Sequence, residues 1–331
     1  MNCKCFFIIS FMQNKKIVIL GTGGTIAGLT SSSSGDTSNN IDYTAAQLGI
    51  SDLVGAIAGL SQIETEQVAQ IDSKDMSFDV WTALAERIQH HLARNDVQGL
   101  VITHGTDTLE ETAYFLQAVL NPSKPVVLTC AMRPASALVP DGPQNILDAV
   151  TVARYVGALG VMVVCAGYLH SALDVQKIHT YQLNAFNSGD SGAVGIIEEN
   201  SLKLLRKWPF NQQIQAQAAT ENIAVLNAAK SWPKVEIVMN YAGASGAVVN
   251  ALVSIGVQGL VVAGTGNGTV HQALQAALLS AQAQGVHILR STRCTQGRVL
   301  PRADDLFPSS NGLSPVKARI DMMLRLMGLA L

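Results

Sequence analysis

Short apolar runs rich in β-branched residues alternate with longer amphipathic stretches along most of this chain. The runs at 16–20, 99–103, 125–130, 160–165, 235–240, 259–263 and 286–290 read as strands. Between several of them apolar positions recur near helical spacing. Over 78–93 these are Val80, Trp81, Leu84, Ile88 and Leu92, and the segments 109–120, 145–158, 270–283 and 315–329 behave in the same way. Strands alternating with helices predict right-handed βαβ units and a mainly parallel sheet. The rhythm lapses between Asn200 and Lys234, a Gln/Asn/Ala-rich stretch carrying Trp208-Pro209 and Trp232-Pro233. The expected fold is therefore α/β in two domains. A larger N-terminal domain over 16–215 holds a mainly parallel sheet flanked by helices. A linker over 216–233 leads to a smaller C-terminal parallel α/β domain over 234–331.

Composition narrows the classes without naming one. Hydrophobic residues are 48% and charged residues 14% of 331, enough apolar material for a large core and far from a disordered composition. A formal net charge of −2 supplies no electrostatic reason to expect nucleic acid or an anionic membrane as a partner. The five Cys, an odd count without regular spacing, do not form a disulfide framework. Cys130 and Cys165 sit in apolar strand-like runs and read as buried free thiols. The seven His show no metal-ligand spacing, and the adjacent His90 and His91 cannot share a helix face, so no metal is expected. The apolar stretch 146–169 contains Asp148, Arg154 and a Gly157/Gly160 break, so it reads as helix then strand and not as a membrane span. Residues 1–15 read as an N-terminal extension. Its run Cys5-Phe6-Phe7-Ile8-Ile9 resembles the start of a signal peptide but lacks a small-residue cleavage site. Met12 is an alternative start, and cytoplasmic residence is favoured over export.

Two Thr-bearing turns carry the chemistry. Gly21-Thr22-Gly23-Gly24-Thr25-Ile26-Ala27-Gly28 follows the first strand, and Thr103-His104-Gly105-Thr106-Asp107-Thr108 follows the second. Strands that run into Gly and hydroxyl residues build sites at the carboxyl ends of parallel sheets. Two such ends, each with a Thr hydroxyl, suggest covalent chemistry on a small substrate. A dinucleotide fingerprint fails, because Ile26 is too bulky for its third small position and a Ser run follows where a helix should start. No Lys follows the glycines, so a P-loop fails as well. The segment 29–41, Ser- and Gly-rich without apolar periodicity, is a flexible loop placed to act either as a lid or as a plain connector.

The two long motifs, Thr22 to Gly28 and Ile102 to Ala113, resemble the signature motifs of bacterial-type L-asparaginases. Further blocks resemble the same family in order along the chain: Ala131-Met132-Arg133-Pro134 with Asp141-Gly142-Pro143-Gln144-Asn145, then Asn240-Tyr241-Ala242, then Gly264-Thr265-Gly266-Asn267-Gly268. The resemblance implies an amidohydrolase that needs no organic cofactor or metal and takes L-asparagine, with L-glutamine as a second amide. It implies Thr25 as nucleophile, Tyr43 as the lid tyrosine approaching it, and Thr106, Asp107 and Lys177 as a second triad. Substrate contacts fall to Ser73, Lys74, Gly105, Thr106, Asp107 and Ala131, with Asp107 pairing the α-ammonium and Ser73 the α-carboxylate. Taken alone, Lys177 would read as a surface lysine and Ser73 as an ordinary turn residue. His104 is expected to be structural. The resemblance further implies a homotetramer, a dimer of dimers.

This chain departs from the family pattern at three places. Lys74 replaces a Gln, Gly243 replaces an Asn, and the C-terminal-domain Glu has no clear match, Asp304 or Asp305 being the available stand-ins. These bear on affinity and amide preference more than on the nucleophile. The competing expectations are a glutaminase-asparaginase, an amidotransferase subunit of the same fold, and a non-catalytic amino-acid-binding relative. The amidotransferase subunit would carry an extra N-terminal domain.

Overall fold

The run Ile17-Val18-Ile19-Leu20 is fully buried, which requires cover on both faces of the strand that contains it. In the computed structural model, which describes residues 15–30, 41–57, 60–210 and 216–329, this strand is β1 (Lys16–Gly23), one strand in from the edge of an eight-stranded sheet. The expectations for the N-terminal extension and for the Ser-rich stretch 31–40 lie outside the described residues. The chain divides into two units, Met1–Ile223 and Ala224–Leu331.

In the first unit, β1 pairs in parallel with β2 (Ile63–Ile71) on one side and with β3 (Val97–Thr103) on the other. Parallel pairing continues from β3 to β4 (Pro125–Thr129) and β5 (Gly160–Cys165). Three antiparallel strands finish the sheet: β6 (Tyr168–Ser171), β7 (Gly195–Glu198) and β8 (Ser201–Leu204). The order is β8-β7-β6-β5-β4-β3-β1-β2. The intervening helices are α1 (Ile50–Gly55), α2 (Phe78–Leu92), α3 (Leu109–Leu120) and α4 (Gly142–Ala153).

Period-2 alternation sorts the core residues between the two faces. Ile17, Ile19, Val101 and Val127 pack with Ile146, Ala149 and Val150 of α4. Val18, Leu20, Leu100 and Ile102 point to the other face, where Trp81 of α2 stacks on Phe115 of α3 at 4.8 Å between centroids. The strand β2 was not foreseen. Its sequence IETEQVAQI is polar because it is the sheet edge, only part-buried along its length. The antiparallel strands β6 to β8, only four residues each, also escaped a reading tuned to βαβ spacing.

In the second unit, β9 (Val235–Met239), β10 (Gly259–Gly264) and β11 (His287–Thr292) form a parallel sheet in that order. A helix, α5 (Ala216–Ala228), occupies most of the segment expected as a linker. The helices α6 (Ala247–Ser254), α7 (Gln272–Ala283) and α8 (Pro315–Leu326) follow. Val238, Leu260, Val262, Leu274, Leu278 and Ile288 form the core of this unit. Among the described residues no helix is long and apolar enough to cross a membrane, and 146–169 resolves into the end of α4 followed by β5.

Candidate active site

The parallel strands run β2-β1-β3-β4-β5, so connections leave β1 and β3 in opposite directions. That reversal opens a crevice beyond the carboxyl ends of these two strands, the place where open α/β sheets bind ligands. Both Thr turns expected from the sequence lie there. Thr22 Oγ1 donates to the Thr103 carbonyl at 2.9 Å and ties the two strand ends together.

Beyond β1 the chain turns through Gly23 and Gly24, with φ of 102° and 83°. These are left-handed values that a side chain would strain. Space excludes one at Gly24 as well, since a Cβ there would overlap the backbone of Gly105. The two turns therefore touch backbone to backbone. Thr25 opens a single 3₁₀ turn, is 8% exposed, and its Oγ1 lies 2.7 Å from the Tyr43 hydroxyl. Tyr43 is held there by pairing of Tyr43–Thr44 with Leu29–Thr30, and its ring lies against Gly28. The proposed lid tyrosine is thus already seated on the proposed nucleophile.

Beyond β3, Thr106 is 7% exposed and accepts a hydrogen bond from Lys177 Nζ at 2.8 Å. The same ammonium meets Asp107 Oδ1 at 2.6 Å, and the Thr106 hydroxyl points to that oxygen at 3.5 Å. Lys177 reaches this spot from a two-residue pairing of Gln176–Lys177 with Phe186–Asn187, after the chain has left β6. Its backbone N–H lies 3.4 Å from Glu110 Oε1. Lys177 is not the surface lysine that it would be in isolation. In this arrangement it donates to the Thr106 hydroxyl and to Asp107.

Ser73, 2% exposed, bolts a third turn onto this pair. Its Oγ accepts from the Asp107 N–H at 3.1 Å, and its carbonyl accepts from the Thr108 hydroxyl at 2.8 Å. Gly105 lies so close that a Cβ on it would overlap the Ser73 side chain. Lys74, next in the turn, is held by Asp72 at 2.6 Å and lies 3.8 Å from Asp75. Asp72, before all else, raises the pKa of Lys74.

Ala131 is fully buried just past β4. Its neighbours are fixed by Asp141, whose carboxylate accepts from the N–H groups of Met132 and Arg133 at 3.0 Å each. Asn145, one helical turn on, donates to the Cys130 carbonyl at 2.9 Å and accepts from the Ala166 N–H at 3.0 Å. This is the physical content of the Asp-Gly-Pro-Gln-Asn block: an i, i+4 pair on α4 that staples the ends of β4 and β5. The signal was in the sequence, but its partners were not. Cys130 and Cys165 are buried and free, as expected.

His104 is fully buried, and desolvation pushes its pKa down to about 4, so the imidazole is neutral. Nδ1 lies 2.7 Å from the Gly105 carbonyl, which makes it the protonated nitrogen, and Nε2 accepts from the Thr112 hydroxyl at 2.9 Å. Thr112 Oγ1 in turn accepts from the Trp81 indole at 2.8 Å. The chain Trp81–Thr112–His104 therefore fixes the Gly105 peptide from beneath. Sequence reading placed His104 as structural and missed Thr112 and Trp81, which lie one and two elements away.

The second unit holds the Asn240-Tyr241-Ala242 block and the two available stand-ins for the unmatched acid, Asp304 and Asp305. Asn240 Nδ2 donates to Thr265 Oγ1 at 3.1 Å and its Oδ1 accepts from the His271 N–H at 2.9 Å, so it shapes the Gly264–Gly268 turn. Asp305 is engaged by Arg290 and by the Arg302 N–H at 2.7 Å, and Asp304 by Arg302 at 3.2 Å. Among the described residues no three His, Cys, Asp or Glu side chains gather as a metal site.

Fold and site together define a doubly wound α/β protein with two hydrogen-bonded Thr turns at its switch point. Family comparison gives the same answer by a separate route. Residues 16–210 match the model "Asparaginase, N-terminal" and residues 234–328 match "Glutaminase/Asparaginase C-terminal domain". The chain belongs to the bacterial-type asparaginase family. It is 37% identical to L-asparaginase 2 of Bacillus subtilis (strain 168) over 94% of this chain and 82% of the relative. It is 37% identical to the glutaminase-asparaginase of Pseudomonas fluorescens biotype A over 94% and 86%. The crystal structure of a probable cytoplasmic L-asparaginase from Campylobacter jejuni superposes with a TM-score of 0.85 at 36% identity, covering 94% of this chain and 95% of that one.

Proposed function

We propose that this protein is an L-asparaginase, hydrolysing L-asparagine to L-aspartate and ammonia through an acyl-enzyme on Thr25. The observation that carries the reading is the paired placement, at one switch-point crevice, of Thr25 on Tyr43 and of Thr106 on Lys177 and Asp107. A Thr hydroxyl is a weak nucleophile until a neighbour takes its proton. Tyr43, at 2.7 Å, is placed to do so.

In this mechanism Thr25 Oγ1 attacks the side-chain amide carbon. The carbonyl oxygen becomes an oxyanion, and its collapse expels ammonia, which carries away the proton that Thr25 gave up. Water then attacks the ester, L-aspartate leaves, and Thr25 recovers its proton. Thr106, polarised by the Lys177 ammonium, orients that water. The oxyanion is met by backbone N–H groups of the two turns, a contribution commonly worth about 3 kcal/mol per donor. Because His104 draws the Gly105 carbonyl inward, the N–H across the same trans peptide, that of Thr106, is turned the opposite way. Asp107 holds the substrate α-ammonium, and the Ser73 turn with the buried Ala131 segment bounds the α-carboxylate and the side chain.

Dual use of L-glutamine is the second reading. It is favoured by the equal identity to an asparaginase and to a glutaminase-asparaginase. Cytoplasmic residence and a homotetramer built as a dimer of dimers complete the proposal. The test is ammonia release by the purified protein from L-asparagine and, separately, L-glutamine, with Thr25→Ala as the control. Turnover lost in the variant is the expected result. A folded wild-type protein releasing ammonia from neither amide would sink the proposal and leave amino-acid binding in its place. An acyl adduct mapped to Thr106 would exchange the roles of the two threonines, and an active monomer in sedimentation would remove the tetramer.

A further inference from the structure

One stripe of α4 follows helical spacing without reaching the sheet along its whole length. Leu147, Val150, Thr151 and the C-cap residue Arg154 line a cavity of about 530 Å³ that lies wholly within the first unit. That volume is in the range of small-molecule sites. The far walls come from Leu202 on β8 and from Leu60, ahead of β2. Both leucines are only partly buried against the core, so they present apolar surface to the cavity. Arg154 is the one charged side chain among the described lining residues. The exposed Glu198 and Glu199 of the β7–β8 hairpin do not line it. The Arg154 guanidinium donates to the Ser61 carbonyl and, among the described residues, meets no carboxylate. Arg87, Arg94 and Arg206 of the same unit each do. Most of the planar N–H fork of Arg154 is therefore unspent.

We propose that this cavity is a second, non-catalytic ligand site for a small carboxylate with an apolar body. Arg154 takes the carboxylate, and Leu60, Leu147, Val150 and Leu202 take the hydrocarbon. Each half of the lining excludes a simpler occupant. A purely apolar molecule would desolvate the guanidinium without pairing it, and a bare anion would leave the leucines wet. A carboxylate on a short hydrocarbon answers both, since the guanidinium fork matches its two oxygens. The site is separate from the crevice. Asp141, which fixes the Ala131 segment, and Arg154 stand at opposite ends of α4, roughly 20 Å apart at about 1.5 Å per residue. The Arg154 carbonyl accepts from Gln98 at 2.8 Å, near the amino end of β3, so the cavity lies toward the sheet edge opposite the two Thr turns.

The test is calorimetric titration of the full chain with octanoate, and with 1-octylamine as the same hydrocarbon on a cationic head. One equivalent of octanoate per chain is expected to bind, with octylamine at least about tenfold weaker and no displacement of octanoate by L-aspartate. Arg154→Gln should weaken octanoate about tenfold to a hundredfold, the loss of a hydrogen bond to a charged group. Leu202→Trp leaves Arg154 intact and fills the cavity from the other wall, so it should abolish binding. This second variant keeps the test sound where Arg154→Gln also loosens the Ser61 segment. No octanoate bound by the wild type would overturn the proposal. So would equal binding of octylamine, displacement by L-aspartate, or undiminished binding in either variant. Octanoate failing to bind while Leu202→Trp lowers the sedimentation coefficient would give the cavity instead to a contact between copies of this chain. None of these outcomes depends on the amidohydrolase reading.

Discussion

The neutral, fully buried His104 makes the stability of the active-site turn depend on pH in a calculable way. In the unfolded chain this imidazole protonates near its ordinary value of 6.5, whereas in the folded protein burial holds it at about 4. A base with a depressed folded pKa contributes stability that is fully present above the unfolded value. That stability is lost as pH falls from 6.5 toward 4, because the unfolded state takes up the proton first. At about 1.4 kcal/mol per pH unit the whole contribution is about 3 kcal/mol, of which about 2 kcal/mol disappears between about pH 7 and about pH 5. Carboxylates also titrate in this range, so the measurement is a difference. Urea unfolding of wild type and of His104→Gln would be followed at both pH values. His104→Gln is expected to be less stable than wild type near neutrality, since Gln cannot bond both the Gly105 carbonyl and Thr112 with the same geometry. Its stability should fall less on acidification, by about 2 kcal/mol. Parallel pH dependence in the two proteins would show that His104 is not held neutral by its burial, and would remove the argument for its tautomer and for the orientation of the Gly105 peptide.

Two further perturbations probe the site and its support. Asp141→Ala leaves the Met132 and Arg133 N–H groups and Asn145 without their carboxylate, and should cost about 2–4 kcal/mol in urea unfolding, with Asp141→Asn intermediate. A loss below about 0.5 kcal/mol would show that the Ala131 segment does not depend on this staple. Tyr43→Phe keeps the ring against Gly28 and removes only the hydroxyl bonded to Thr25. It should lower kcat about a hundredfold with a smaller change in KM, whereas a kcat within about threefold of wild type would take Tyr43 out of the proton path.

What could be read from the sequence, and what could not, divides along a physical line. Local patterning determined the buried strands and their helices: the unbroken apolar run of β1 and the 3.6-residue spacing of α2 and α3 have one stable solution each. The same locality made the two Thr turns legible, since Gly23, Gly24, Thr25 and the Thr106–Asp107 pair are contiguous with the strands that deliver them. The edge strand β2 stayed hidden because a half-exposed strand need not be apolar, and helix α5 because an Ala/Gln/Asn-rich stretch carries only weak amphipathic periodicity. Tertiary structure alone decided everything that joins distant segments. Only the strand order, reversing between β1 and β3, turns two separate motifs into the walls of one crevice. Only the path after β6 brings Lys177, 70 residues beyond Asp107, to within 2.6 Å of it. Trp81, Thr112 and Asp141 act through partners on other elements, and a side chain's partner across the fold leaves no mark on its own neighbours in sequence. Residue type states what chemistry a position can perform, and packing decides which other position it performs it with.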